Sequence, residues 1–215
     1  MLGTEAPQEI LNVPTQPRAV TRIIPDATAL KALAHPLRLR MLGMLRIEGP
    51  ATATGLAGRL GLNSGATSYH LRQLAQHGFI EEDVSRGSHR DRWWRARHES
   101  TRVDVEAAQG EALEHGLAFE RAALAWQMQQ MQQALAVYPE LPPAWRGAST
   151  TSDYTIPLTA EAATTLVEKL QALLSEAMAA APPLGTALPD GTRPFTVILH
   201  AAPYIAVDGA SRVDT

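Results

Sequence analysis

The chain has no cysteine. That excludes disulfides and thiolate-bound metals. Aromatic residues make up only 5% of the 215, which argues against a large aromatic-lined ligand pocket. No apolar run reaches the roughly 18 residues that a membrane helix needs. No basic segment followed by an apolar stretch opens the chain, so the sequence reads as soluble and cytoplasmic, with no membrane partner. Also missing are a P-loop, a dinucleotide-binding glycine signature, a nucleophile elbow and a two-histidine metal motif. Neither enzymatic chemistry nor a cofactor is expected.

What is present suffices for a folded core. Apolar residues are 45% of the chain, ordinary for a globular protein, and the length suits one large domain or two small ones. The net charge is -3 but unevenly spread. Between Ala34 and Glu99 ten arginines face six acids, a surplus of +4 that leaves -7 on the rest. A basic module on an acidic body suits a protein that docks one face on phosphate.

The pattern predicts a mainly α protein with a β-wing, in four parts. Residues 1–25 form an arm rich in Pro and Thr, with Val20, Ile23 and Ile24 able to dock locally. Residues 26–100 form a winged helix-turn-helix domain, 101–138 a long helix, and 139–215 a linker with a small β-α-β unit. Asp26 suits an N-cap, Pro36 a first helical turn, and Gly49-Pro50 a helix end. Thr54 is expected to cap the third helix, Gly61 to close it and Asn63 to cap the fourth. Thr67, Leu71 and Leu74 share one face of that fourth helix. Gly78 stops it, and strand-like Phe79–Val84 and Arg92–Ala96 flank a turn at Arg86-Gly87-Ser88. No proline occurs from Val103 to Tyr138. There Leu117, Leu124, Met128, Met131 and Leu135 repeat in steps of seven, four, three and four. That narrow seam suits helix pairing across a homodimer; the alternative is a helix lying on its own domain. In the last part, strand-like Tyr154–Leu158 and Phe195–His200 bracket a helix near Ala160–Ala180. Leu166, Leu170, Leu173 and Leu174 give that helix an apolar face, and Pro157 confines the first strand to an edge.

With Thr67, Leu71 and Leu74 inward, Ser64, Gly65, Ser68, Tyr69, Arg72 and Gln76 point outward. Hydroxyls and a guanidinium on one helix face are the groups that contact base edges and phosphates of double-stranded DNA. Gly65 permits close backbone approach, and the helix N-terminus at Asn63-Ser64 favours a nearby phosphate. The wing tip adds Arg86, His89, Arg90 and Arg92. Trp93 and Trp94 alternate to opposite faces of the return strand, one toward the core.

The run ALAHPLRLRMLGMLRIEGPATATGLAGRLGL, followed by TSYHLRQLAQHGFIEE and RDRWWRARHES, closely resembles the ArsR/SmtB-like winged-helix transcriptional regulators, most strongly a branch common in actinobacteria. The resemblance covers about Asp26 to Glu99. It implies a homodimeric repressor on an inverted-repeat operator, with the fourth helix as reader and the wing as backbone clamp. It assigns reading-helix contacts to Asn63, Ser64, Ser68, Tyr69 and Arg72, and wing contacts to Arg90 and Arg92. Cysteine-based metal sensing, known in that family, is impossible here. On the long helix, His115 stands alone among Asp104, Glu106, Glu111, Glu114 and Glu120, which reads as a solvated face, so no metal is expected. A small-molecule effector is an alternative for the C-terminal half, with Trp126, Met128, Met131 and Trp145 as candidate lining. A winged helix used only for protein contacts is another.

Overall fold

The computed structural model describes residues 17–86, 91–103 and 108–205. Each helix of the N-terminal half starts on a side chain that accepts one of the helix's free backbone N–H groups. Asp26 accepts from Ala29 N at 2.8 Å and starts α1, Ala27–Leu33. His35 Nδ1 accepts from Leu37 N at 3.2 Å and starts α2, Pro36–Ile47, with the proline in its first turn. Thr52 Oγ1 accepts from Gly55 N at 3.1 Å and starts α3, Ala53–Leu60. Asn63 Oδ1 accepts from Ala66 N at 2.8 Å and starts α4, Ser64–Gln76. The cap of α3 is thus Thr52 rather than Thr54, which lies in the first helical turn. A cap needs extended backbone, and Thr52 has it (φ -89°, ψ 160°) because it also ends a strand.

Gly61, in the left-handed region at φ 66°, closes α3 and turns the chain into α4. After α4 come β3, Ile80–Glu82, and β4, Trp93–Ala96, an antiparallel hairpin that pairs Ile80 with Ala96 and Glu82 with Trp94. The hairpin is shorter than the sequence suggests. A third strand, β2 at Ala51–Thr52, pairs with the other edge of β4, so the sheet order is β2-β4-β3. The arm also docks. Its β1, Arg22–Ile23, runs parallel to β5, Ser100–Thr101.

The core fills the space between α1, α2, α3, α4 and this sheet. Leu33, Leu42, Leu56, Leu71, Leu74 and Phe79 are essentially inaccessible there. The two tryptophans divide as alternation requires, Trp94 buried and Trp93 partly exposed.

The long helix α5 runs from Gly110 to Val137, starting later than expected. It lies on α1 and α2 through Phe119, Ala122, Ala123 and Trp126, and the Trp126 indole sits over Gly43, 3.5 Å from where a Cβ would stand. The Leu117-to-Leu135 seam is a different stripe. At 100° per residue it lies roughly 150° around the helix from the Phe119–Trp126 face. Its five side chains are 41–70% exposed.

Beyond α5 the chain makes a 3-10 turn at Tyr138–Glu140, a short helix α6 at Pro143–Ala148, and α7 at Ala160–Ala180, capped by Thr159. The expected β-α-β unit is corrected here. Its helix is present, but neither Tyr154–Leu158 nor Phe195–His200 is a strand. A strand needs a neighbour to complete its ladder, and these segments instead lie singly. Phe195 meets the Trp145 ring at 6.3 Å between centroids, and His200 Nε2 meets Gln127 Oε1 at 2.8 Å. The C-terminal end of α7 is tied to the arm. Arg18 donates from its backbone to Ala179 O at 3.0 Å and from Nε to Ala181 O at 2.8 Å, while its two terminal nitrogens clamp Glu99 at 2.7 Å each.

Candidate nucleic-acid interface

The turn at Gly61 sets α4 across α3, with Thr67, His70, Leu71 and Leu74 directed into the core. The opposite face is thereby presented to solvent. Asn63, Ser64, Gly65, Tyr69, Arg72 and Gln76 are exposed and Ser68 is partly so. The cap occupies Asn63 Oδ1, leaving its amide NH2 to act outward.

Ser64, Ser68 and Arg72 line one wall of a cleft of about 320 Å³. The start of α3, at Thr52 and Thr54, forms a second wall, and Asp91, Arg92 and Trp94 of the wing form the third. The cleft therefore joins the outward face of α4 to the wing. Thr52 and Thr54 were not legible as site residues because their place depends on how α3 packs. Arg92 is held by Glu82 at 3.0 Å and its guanidinium lies 5.6 Å over the Trp94 ring, so it is positioned before any ligand arrives.

Other expected residues stand elsewhere. Arg86 is not in this cleft. It pairs with Asp83 at 3.5 Å, lies 5.9 Å over the Trp93 ring, and lines a second cleft at the wing base. Gly65, Tyr69 and Asn63 lie on the exposed surface outside the cleft lining. His89 and Arg90 lie outside the described residues. The four effector candidates stand apart from both of these clefts. Trp126 packs against the core, Trp145 stacks with Phe195 beneath Arg193, and Met128 and Met131 are exposed, so none lines either cleft.

On the inner side of α4 sits a histidine pair that spacing alone did not reveal as a pair. His35 and His70 have ring centroids 4.6 Å apart. Burial, then the nearby Arg38 cation, lowers the pKa of His35. Burial, then His35 and Arg38, lowers that of His70. His70 Nδ1 is buried without a hydrogen-bond partner among the described residues.

Residues 33–83 match a family model described as a helix-turn-helix domain. Over 56 residues the chain is 43% identical to the HTH-type transcriptional regulator YgaV of Escherichia coli (strain K12), a match that takes in 26% of this chain. The chain spans just over half, 56%, of that regulator's length. Among solved structures, reduced HlyU from Vibrio cholerae N16961 is similar at 24% identity over 43% of this chain and 81% of its own, with a TM-score of 0.28. A Lactococcus lactis ZitR mutant in apo form is similar at 17% identity over 66% of this chain and 83% of its own, with a TM-score of 0.30. The helix-turn-helix match, together with α3, α4 and the β3–β4 hairpin, makes this a winged helix-turn-helix fold.

Proposed function

We propose that the protein is a sequence-specific DNA-binding transcriptional regulator that acts as a homodimeric repressor on an inverted-repeat operator. The observation that carries this is the cleft where Ser64, Ser68 and Arg72 of α4 meet Arg92 of the wing. Hydroxyls and a guanidinium there can reach base edges, while the wing arginine meets the adjacent backbone. The exposed seam on α5 supports a dimer, which would present two reading helices to two half-sites. It is also the part of the reading that the ArsR/SmtB-like resemblance implies.

The test is fluorescence anisotropy with the operator recovered by genome-wide binding-site mapping. Arg72→Ala is expected to weaken specific binding by about 1–3 kcal/mol and to relax specificity at one base position. Arg92→Ala is expected to weaken binding to all sequences alike and to shallow the salt dependence by about one ion. Unchanged affinity in both variants overturns the DNA face. A wild-type protein without DNA affinity even at low salt points instead to a winged helix used for protein contacts.

A further inference from the structure

A second cleft, of about 350 Å³, opens at the base of the wing. Arg46 of α2, Arg86 after β3, Arg95 of β4 and Arg97 just after it all line it. Leu45 and Pro50 give it an apolar side, and Leu184 and Thr186 of the loop after α7 close another. Along β4, Arg95 alternates with Trp94, so its side chain points away from the face that lines the α4–wing cleft.

The charges in this cleft are not balanced. Arg95 and Arg97 both pair with a single carboxylate, Glu81, at 2.8 and 3.4 Å. Of the two carboxylates that line the cleft, Asp83 is taken by Arg86 and Glu99 by Arg18. Arg46 donates only to neutral acceptors, His98 O at 2.8 Å and Thr101 Oγ1 at 2.9 Å. It forms no ion pair among the described residues. Burial lowers its pKa to about 10, which still leaves it a cation at neutral pH. A cation removed from water is normally paired. His98, in the same cleft, keeps Nδ1 buried without a hydrogen-bond partner among the described residues. A partly buried cation without a counter-charge and an unpartnered imidazole nitrogen, in one concave and cationic site, are what an oxyanion corrects. A carboxylate or phosphate accepts from guanidinium forks in pairs.

We propose that the wing-base cleft binds a small carboxylate- or phosphate-bearing anion between Arg46, Arg97 and His98. Its floor of Leu45, Pro50 and Leu184 has room for a short carbon skeleton. Because the cleft joins the wing to the loop after α7, an occupant would bridge the DNA-facing domain and the C-terminal segment.

The test is isothermal titration calorimetry of the full chain with pyrophosphate and with citrate, against chloride at matched ionic strength. Saturable binding of at least one probe is expected, with Arg46→Gln and Arg97→Gln each weakening it by about tenfold or more. Arg95→Gln, at an exposed side chain, guards against a folding defect at position 46; it is expected to weaken binding while leaving the melting temperature unchanged. No saturable heat from either probe up to on the order of 10 mM, or affinities indifferent to all three substitutions, overturns the site. The titration is repeated with a DNA duplex present. Simultaneous binding supports a separate anion site, whereas mutual exclusion with a matching loss of DNA affinity in Arg46→Gln assigns the cleft to the DNA backbone and overturns the proposal. The direct titration does not depend on the DNA-binding reading, so the two can fail separately.

Discussion

Gly49 shows how one residue joins distant parts of the chain. It has φ 94°, and a Cβ built on it would stand 2.5 Å from Gly185 O. Gly185, at φ 77°, is reciprocally placed, its Cβ position 2.8 Å from Gly49 Cα. The turn after α2 and the loop after α7 thus touch backbone to backbone, beside the wing-base cleft. Gly49→Ala combines backbone strain with a clash against main chain, which cannot move aside as a flexible side chain can. It is expected to cost about 1–3 kcal/mol and to make the segment near residues 181–186 more sensitive to limited proteolysis. An unchanged melting temperature and cleavage pattern would show that the two loops do not depend on one another. The sequence marks Gly49-Pro50 only as a helix end. That half of its role is local and therefore readable, while the contact with Gly185 exists only once the chain has folded.

At the level of elements, what could be read follows the length over which each pattern repeats. α2, α3 and α4 were legible because apolar spacing repeats over several turns between clear start and stop residues, even though the α3 cap proved to be Thr52. β1, β2 and β5 were not, since two residues each are too few to show alternation. The supposed strands around α7 failed in the opposite way, having the alternation but no partner. The exposed face of α4 was legible from the inward direction of Thr67, Leu71 and Leu74, whereas its junction with the start of α3 was not. The packing of α4 on α2 has a consequence of its own, because it brings His70 against His35. Both pKa values are lowered from 6.5 by burial and neighbouring positive charge. Their neutral forms are therefore favoured in the folded state, while the unfolded chain binds protons more readily. Stability from this source is complete above about pH 6.5 and is lost as pH falls through that value toward the folded pKa. His98 is lowered mainly by burial and adds to the same window. The carboxylates of Asp83 and Glu99, held down chiefly by hydrogen bonds from Ser85 and Arg18, act only at more acid pH. The melting temperature is accordingly expected to fall between pH 7 and pH 5.5, ordinary histidine territory. His35→Asn keeps a good helix cap and removes one of the two titrating rings, so it is expected to flatten that fall. An equal fall in the variant would show that the pair does not set the pH response.

For the whole molecule, the deciding quantity is the apolar surface left open. The core face of α5 is satisfied within its own chain, yet Leu117, Leu124, Met128, Met131 and Leu135 remain 41–70% exposed on another face. Burying such a side chain completely contributes about 1.5–3 kcal/mol, and roughly half of that is still to be gained here. Over two copies the seam offers about 10 kcal/mol, comparable to the roughly 4–15 kcal/mol lost on association. The seam alone is therefore marginal, and a stable dimer calls for additional surface. α7 has it in Leu166, Leu170 and Leu173, each at least 37% exposed. Light scattering coupled to size exclusion is expected to give a dimer for the wild-type chain. Met131→Glu is expected to give a monomer with unchanged helical circular dichroism, since its side chain faces away from the core. Leu170→Glu is expected to shift the dimer toward monomer at low concentration only. If Met131→Glu stays dimeric, the α5 seam is not the interface. If Leu170→Glu has no effect while Met131→Glu dissociates the pair, the coiled seam is sufficient and the area argument for α7 fails. A wild-type monomer removes the dimer altogether and leaves a single winged helix, able to read at most one half-site.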